Sequence, residues 1–127
     1  MSHFTTIKTE ILDPEILKRT LSELKFKFQE NGKVLGYQGR MERVDIAVGE
    51  AGYSYFGFKR SEEKGNYEIR GLIEYLQKEK VKMMIKEVLQ EYAYRKILHE
   101  TRKRGFALIQ EERLNPGSIK LVLRKVA

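Results

Sequence analysis

The chain has 127 residues, 41% hydrophobic and 34% charged, with no cysteine and a formal net charge of +7. That length suits one domain, 1–127, with enough apolar residues for a core. Disulfides and thiolate metal sites are excluded, and no window approaches the roughly 18 unbroken apolar residues of a membrane span. The opening residues lack a basic region followed by an apolar run, so no secretory signal is expected and the cytoplasm is the expected location.

The charge is unevenly placed. Residues 1–58 carry 8 Lys/Arg against 8 Asp/Glu, and residues 59–127 carry 17 against 10. A basic half speeds association with acidic surfaces or nucleic acid, and it also keeps a protein soluble.

In chain order, residues 4–11 alternate Ile7, Thr9 and Ile11 with Thr6, Lys8 and Glu10, which predicts a half-buried strand. Asp13-Pro14 then predicts a helix start. Asp caps free N–H groups, and Pro suits the first helical position. Ile16, Leu17, Leu21 and Leu24 share one face of this helix, with Lys18, Arg19 and Glu23 on the other. Residues 26–30 and 33–38 flank Asn31-Gly32, a dipeptide that predicts a two-residue hairpin. Residues 40–48 follow as one strand, with Val44, Ile46 and Val48 on one face. Gly49 and Gly52 bracket a turn, and residues 53–59 form an aromatic strand. A polar turn over 61–66 returns into a strand over 67–72.

The period then changes. Val81, Met84, Ile85, Val88, Leu89, Tyr92, Ala93, Ile97 and Leu98 predict one long helix over residues 81–103. Lys103 and Arg104 suit its C-terminus, and Gly105 is the residue expected just beyond it. Strands over 106–111 and 119–126 close the chain around Asn115-Pro116-Gly117, which predicts a type II turn. The order β-α-β-β-β-β-β-α-β-β implies a single two-layer α+β domain. Its sheet is mainly antiparallel, with about five to seven strands and two helices.

Met1-Ser2-His3-Phe4-Thr5-Thr6-Ile7-Lys8-Thr9, Gly36-Tyr37-Gln38-Gly39, Gln90-Glu91-Tyr92-Ala93-Tyr94, Gly105-Phe106 and Gly117-Ser118-Ile119-Lys120-Leu121-Val122-Leu123 together carry a resemblance. The chain resembles, over essentially its whole length, a conserved open-reading-frame family of cyanobacteria and red-algal plastids, also classed as a domain of unknown function in other bacteria. It departs from that family in ending Lys125-Val126-Ala127 without an aromatic residue and in carrying no Trp. The resemblance implies no catalytic residues. It implies an accessory role beside ATPase-containing gene neighbourhoods, with an ATPase as one candidate partner.

No catalytic constellation is visible, so no enzyme activity is expected. His3 and His99 are the only histidines, and neither has the partners that nucleophilic or metal chemistry requires. His3 is expected to pack at the start of the first strand. Glu111-Glu112 point to opposite faces of a strand, and Gly49-Glu50-Ala51-Gly52 lacks the Gly-Lys-Ser/Thr ending of a phosphate loop. Nothing calls for a cofactor or a metal.

Two binding surfaces stand out. Tyr94, Arg95, His99 and Arg102 combine residue types enriched at binding hot spots along the long helix and, with Lys103 and Arg104 at its basic end, predict a protein partner. Tyr55, Lys59 and Arg60 place an aromatic beside cations on a strand, the pattern of a single-stranded nucleic-acid surface. The plain alternatives are core-facing aromatics and a helix end whose cations offset the dipole. A homo-oligomer stays open, and no membrane partner is expected.

Overall fold

Residues 4–50, 53–114 and 118–126 are described by the structure, a computed structural model. His3, Gly52 and the turn expected at Asn115-Pro116-Gly117 lie outside the described residues. The described elements begin with β1 (Phe4–Lys8), α1 (Pro14–Glu23), β2 (Phe28–Glu30) and β3 (Lys33–Leu35), then a 3-10 turn at Tyr37–Gly39. Next come β4 (Met41–Arg43), β5 (Ile46–Glu50), β6 (Tyr53–Arg60), β7 (Tyr67–Leu72) and the short α2 (Ile73–Leu76). The long α3 (Glu79–Lys103), β8 (Phe106–Leu114) and β9 (Ser118–Lys125) complete the series. The fold is α+β and mainly antiparallel, as the sequence implies.

Asp13 starts α1 as expected. Its carboxylate accepts the N–H groups of Glu15 at 2.9 Å and Ile16 at 3.1 Å, and Pro14 stands at the first helical position. At the far end of α3, Gly105 takes the positive φ of 82° that a helix-terminating residue needs. β1 is shorter than expected. The Thr9 hydroxyl donates to the Tyr67 carbonyl at 2.6 Å and accepts the Ile11 N–H at 3.1 Å. This bend takes Ile11 out of the strand and into the core, where it is buried.

The sheet order is β1-β7-β6-β5-β2, with β3-β4 and β8-β9 as separate antiparallel pairs. Two expectations are corrected here. The Asn31-Gly32 hairpin does not form between its flanking strands. β2 pairs with β5, Phe28 opposite Val48, whereas β3 pairs with β4, Val34 opposite Glu42. Asn31 does adopt positive φ, 53°, but its N–H donates to Asp45 O at 2.7 Å, so the chain steps between ladders rather than folding back. Residues 40–48 also break into β4 and β5 at Asp45. Val44 therefore packs with Val34 and Ala47, while Ile46 and Val48 join the main core.

That core lies between one sheet face and the helices. Leu17 and Leu21 of α1, Phe56, Phe58 and Ile69 of the sheet, and Val81 and Val88 of α3 are buried there. Each such side chain contributes about 2 kcal/mol on removal from water. The β3-β4 pair lies against the opposite sheet face at Gly57. A Cβ on Gly57 would stand 2.6 Å from Val44 Cγ2, so only glycine allows this approach. A small local layer is thereby added to the expected two.

At 25 residues, α3 is about 37 Å long. Its buried residues, Val81, Ile85, Val88 and Tyr92, all lie in its first fourteen positions. Ile97, expected in the apolar stripe, is 45% exposed. The C-terminal half of α3 therefore presents side chains to α1 on one flank and to β8 on another. No described helix is long and apolar enough to cross a membrane.

Candidate functional site

The two helices are joined by Tyr92. Its buried hydroxyl accepts the N–H groups of Leu12 at 3.2 Å and Asp13 at 3.0 Å, just before α1. This fixes the N-terminal end of α1 against α3 and leaves a groove of about 250 Å³ between them. Ile16 and Arg19 line it from α1, and Tyr94, Arg95, Leu98, His99 and Arg102 line it from α3. Four of the six residues anticipated on the long helix thus share one groove. Lys103 and Arg104 stand exposed at the helix end and do not line it.

Ile16 and Leu98 give the groove its aliphatic surface, and three arginines give it one sign of charge. Among the described residues no carboxylate lines it. Arg95 reaches Glu23 Oε2 at 3.7 Å, yet its Nε is buried without a hydrogen-bond partner among the described residues. A buried donor left unpaired costs about 1 to 3 kcal/mol.

Tyr94 is held from the other flank. Its hydroxyl donates to Glu111 Oε2 at 2.9 Å, and the Arg113 guanidinium stacks 5.4 Å from its ring centre. Arg113 in turn pairs with Glu91 and, through Nε at 3.1 Å, with Glu111. Burial, then the hydrogen bond to Glu111, raises the Tyr94 phenol above its ordinary value. Its hydroxyl is therefore committed to β8, and its ring serves as a fixed wall.

The second predicted surface does not converge. Tyr55 lies in one cleft with Lys25, Lys27 and Lys80, and Lys59 and Arg60 line another. Arg60 is engaged within the fold. Its Nη2 donates to Leu12 O at 3.0 Å, its N–H donates to Asp45 Oδ2 at 2.7 Å, and its guanidinium lies 4.9 Å from the Tyr67 ring centre. Phe56 and Phe58 face the core.

Sequence reasoning missed Ile16, Arg19 and Leu98 as members of the groove. Arg19 reads as one more cation on a solvated helix face, and only the packing of α1 on α3 brings it opposite Arg95. Among the described residues, no three His, Asp or Glu side chains are grouped to hold a metal ion.

Residues 20–122 match the family described as "Protein of unknown function (DUF1257)". The chain belongs to this family. It is 32% identical over 127 residues to "Uncharacterized protein ycf35" of Cyanophora paradoxa, covering 98% of each chain. It is 31% identical over 126 residues to the protein of that name in Pyropia yezoensis, again over 98% of each. The Guillardia theta protein of the same name is 28% identical over 127 residues. The resemblance carried by these stretches of the sequence is thus confirmed over nearly its whole length. No solved structure matches the chain.

Proposed function

We propose that this DUF1257 member is a non-enzymatic accessory protein of the cytoplasm that binds a protein partner through the groove between α1 and α3. The partner presents an acidic segment with an aliphatic side chain. The carboxylates meet Arg19, Arg95 and Arg102, and the aliphatic group meets Ile16 and Leu98. The observation that carries this reading is the convergence of three arginines on an apolar floor, one of them with a buried, unpaired Nε. Arginine forks pair carboxylates in two parallel hydrogen bonds, which gives orientation as well as attraction.

The test is recovery of tagged protein from its own host, with and without nuclease, beside an Arg19→Glu/Arg102→Glu variant. A defined protein should stay bound to the parent chain after nuclease and in moderate salt, and should be lost from the variant. Equal recovery by parent and variant would overturn the assignment of the groove. Loss of all bound protein after nuclease would favour the nucleic-acid reading, which has weaker geometric support because Tyr55 is separated from Lys59 and Arg60.

A further inference from the structure

A second cleft lies at the other end of α1, where β2 forms the edge of the sheet. Lys25, Phe26, Lys27, Tyr55, Lys80 and Met84 surround a cleft of about 430 Å³ there. That volume falls within the range of about 300 to 1,000 Å³ typical of small-molecule sites. Two kinds of surface meet in it. Lys25 and Lys27, on the connection from α1 to β2, and Lys80 of α3 bring three lysines from two separate segments, and no carboxylate is among the described residues that line it. Phe26, Tyr55 and Met84 bring two rings and a thioether, all partly buried against the main core.

The cations are placed by the backbone. Lys25 has φ of 62°, a left-handed conformation that side chains other than Asn and Gly rarely adopt. It sits just past the end of α1, where Phe26 N–H returns to Leu21 O at 3.0 Å. Glycine is the ordinary residue at such a helix end, yet here a lysine occupies the rim of the cleft. Lys27 is held on the wall by its carbonyl, which accepts the Gly49 N–H at 2.8 Å. Lys80 lies in the first turn of α3 with its ammonium 5.3 Å from the Tyr55 ring centre, so that ring already presents a face to a charged group.

We infer that this cleft binds a small anion with a planar ring, of the nucleoside monophosphate class. The ring of the ligand stacks on Tyr55. Lys80 swings on its flexible stem from the ring to the phosphate, which Lys25 also meets. Neither half of such a ligand alone satisfies both surfaces. The site is separate from the groove between α1 and α3 and does not depend on the reading given to that groove.

Isothermal titration of the full chain with adenosine monophosphate, adenosine, inorganic phosphate and a short single-stranded oligonucleotide tests the assignment. Adenosine monophosphate should bind at least tenfold more tightly than adenosine or inorganic phosphate. Lys80→Glu and Tyr55→Leu should each weaken it fivefold or more. Lys80→Glu puts an acid in the first turn of a helix, where it is tolerated by the dipole, so the variant should remain folded. Adenosine monophosphate binding no better than inorganic phosphate, or binding unchanged in Lys80→Glu, would overturn the assignment. Binding of the oligonucleotide without binding of the mononucleotide would overturn it too.

Discussion

The hydroxyl of Tyr92 on α3 accepts the backbone N–H of Asp13, the residue that caps α1, at 3.0 Å. It also accepts the N–H of Leu12 at 3.2 Å, so one buried oxygen satisfies two donors that precede the helix. Tyr92→Phe keeps the ring and leaves both donors unpaired. It should cost about 1 to 3 kcal/mol, read as a lower urea midpoint with an unchanged slope. The same variant should weaken partner binding, since the groove depends on α1 holding its place on α3. Stability equal to the parent chain would show that water replaces the phenol.

Gly57 and Val44 are in closer contact than any side chain could allow. A Cβ on residue 57 would stand 2.6 Å from Val44 Cγ2 and 2.9 Å from its Cβ. Gly57→Ala should therefore displace the β3-β4 pair and cost about 1 to 3 kcal/mol. Adding Val44→Ala removes the atoms that clash, so the double variant should lose less than the sum of the single ones. Additive losses in thermal denaturation would show that the clash is relieved elsewhere.

Lys25→Gly should separate stability from binding. The left-handed backbone at Lys25 costs about 1 kcal/mol for a side chain and little for glycine. The variant should melt higher than the parent and bind adenosine monophosphate more weakly. A higher melting temperature with unchanged affinity would remove Lys25 from the site.

The Tyr94 phenol is raised above its ordinary value of 10.0, first by burial and then by its hydrogen bond to Glu111. The folded chain thus holds this proton more tightly than the unfolded chain. The resulting stability is complete below pH 10 and is lost as pH rises through the higher folded value. Ultraviolet titration should show the Tyr94 phenol ionising late, and Tyr94→Phe should remove that step and flatten the loss of stability in the same alkaline range. An unchanged titration in the variant would assign the late step to another tyrosine.

Local chemistry made much of the fold legible. Asp13-Pro14 begins a helix and Arg104-Gly105 ends one in any context, because the caps satisfy backbone groups within a few residues. The three-and-four spacing from Val81 to Tyr92 likewise had to form a helix with one buried stripe. The same periodicity is enough to place Tyr94, Arg95, His99 and Arg102 along one side of α3.

Where partners are distant in sequence, the tertiary structure decided. Asn31 takes the backbone conformation that its type favours, yet β2 and β3 find different partners. A strand's ladder is chosen by whichever apolar face it can bury, not by the turn alone. Gly32 serves close packing there, since a Cβ on it would meet Ala47 Cβ at 2.6 Å. Ile97 fits the helical stripe and remains exposed because the buried stripe of α3 ends at Tyr92. Arg19 joins Arg95, and Lys80 joins Tyr55, through contacts between separate elements. Periodicity is a property of one element and reveals which face is apolar. Which two faces meet, and which cations then share a groove, is settled only when the elements pack.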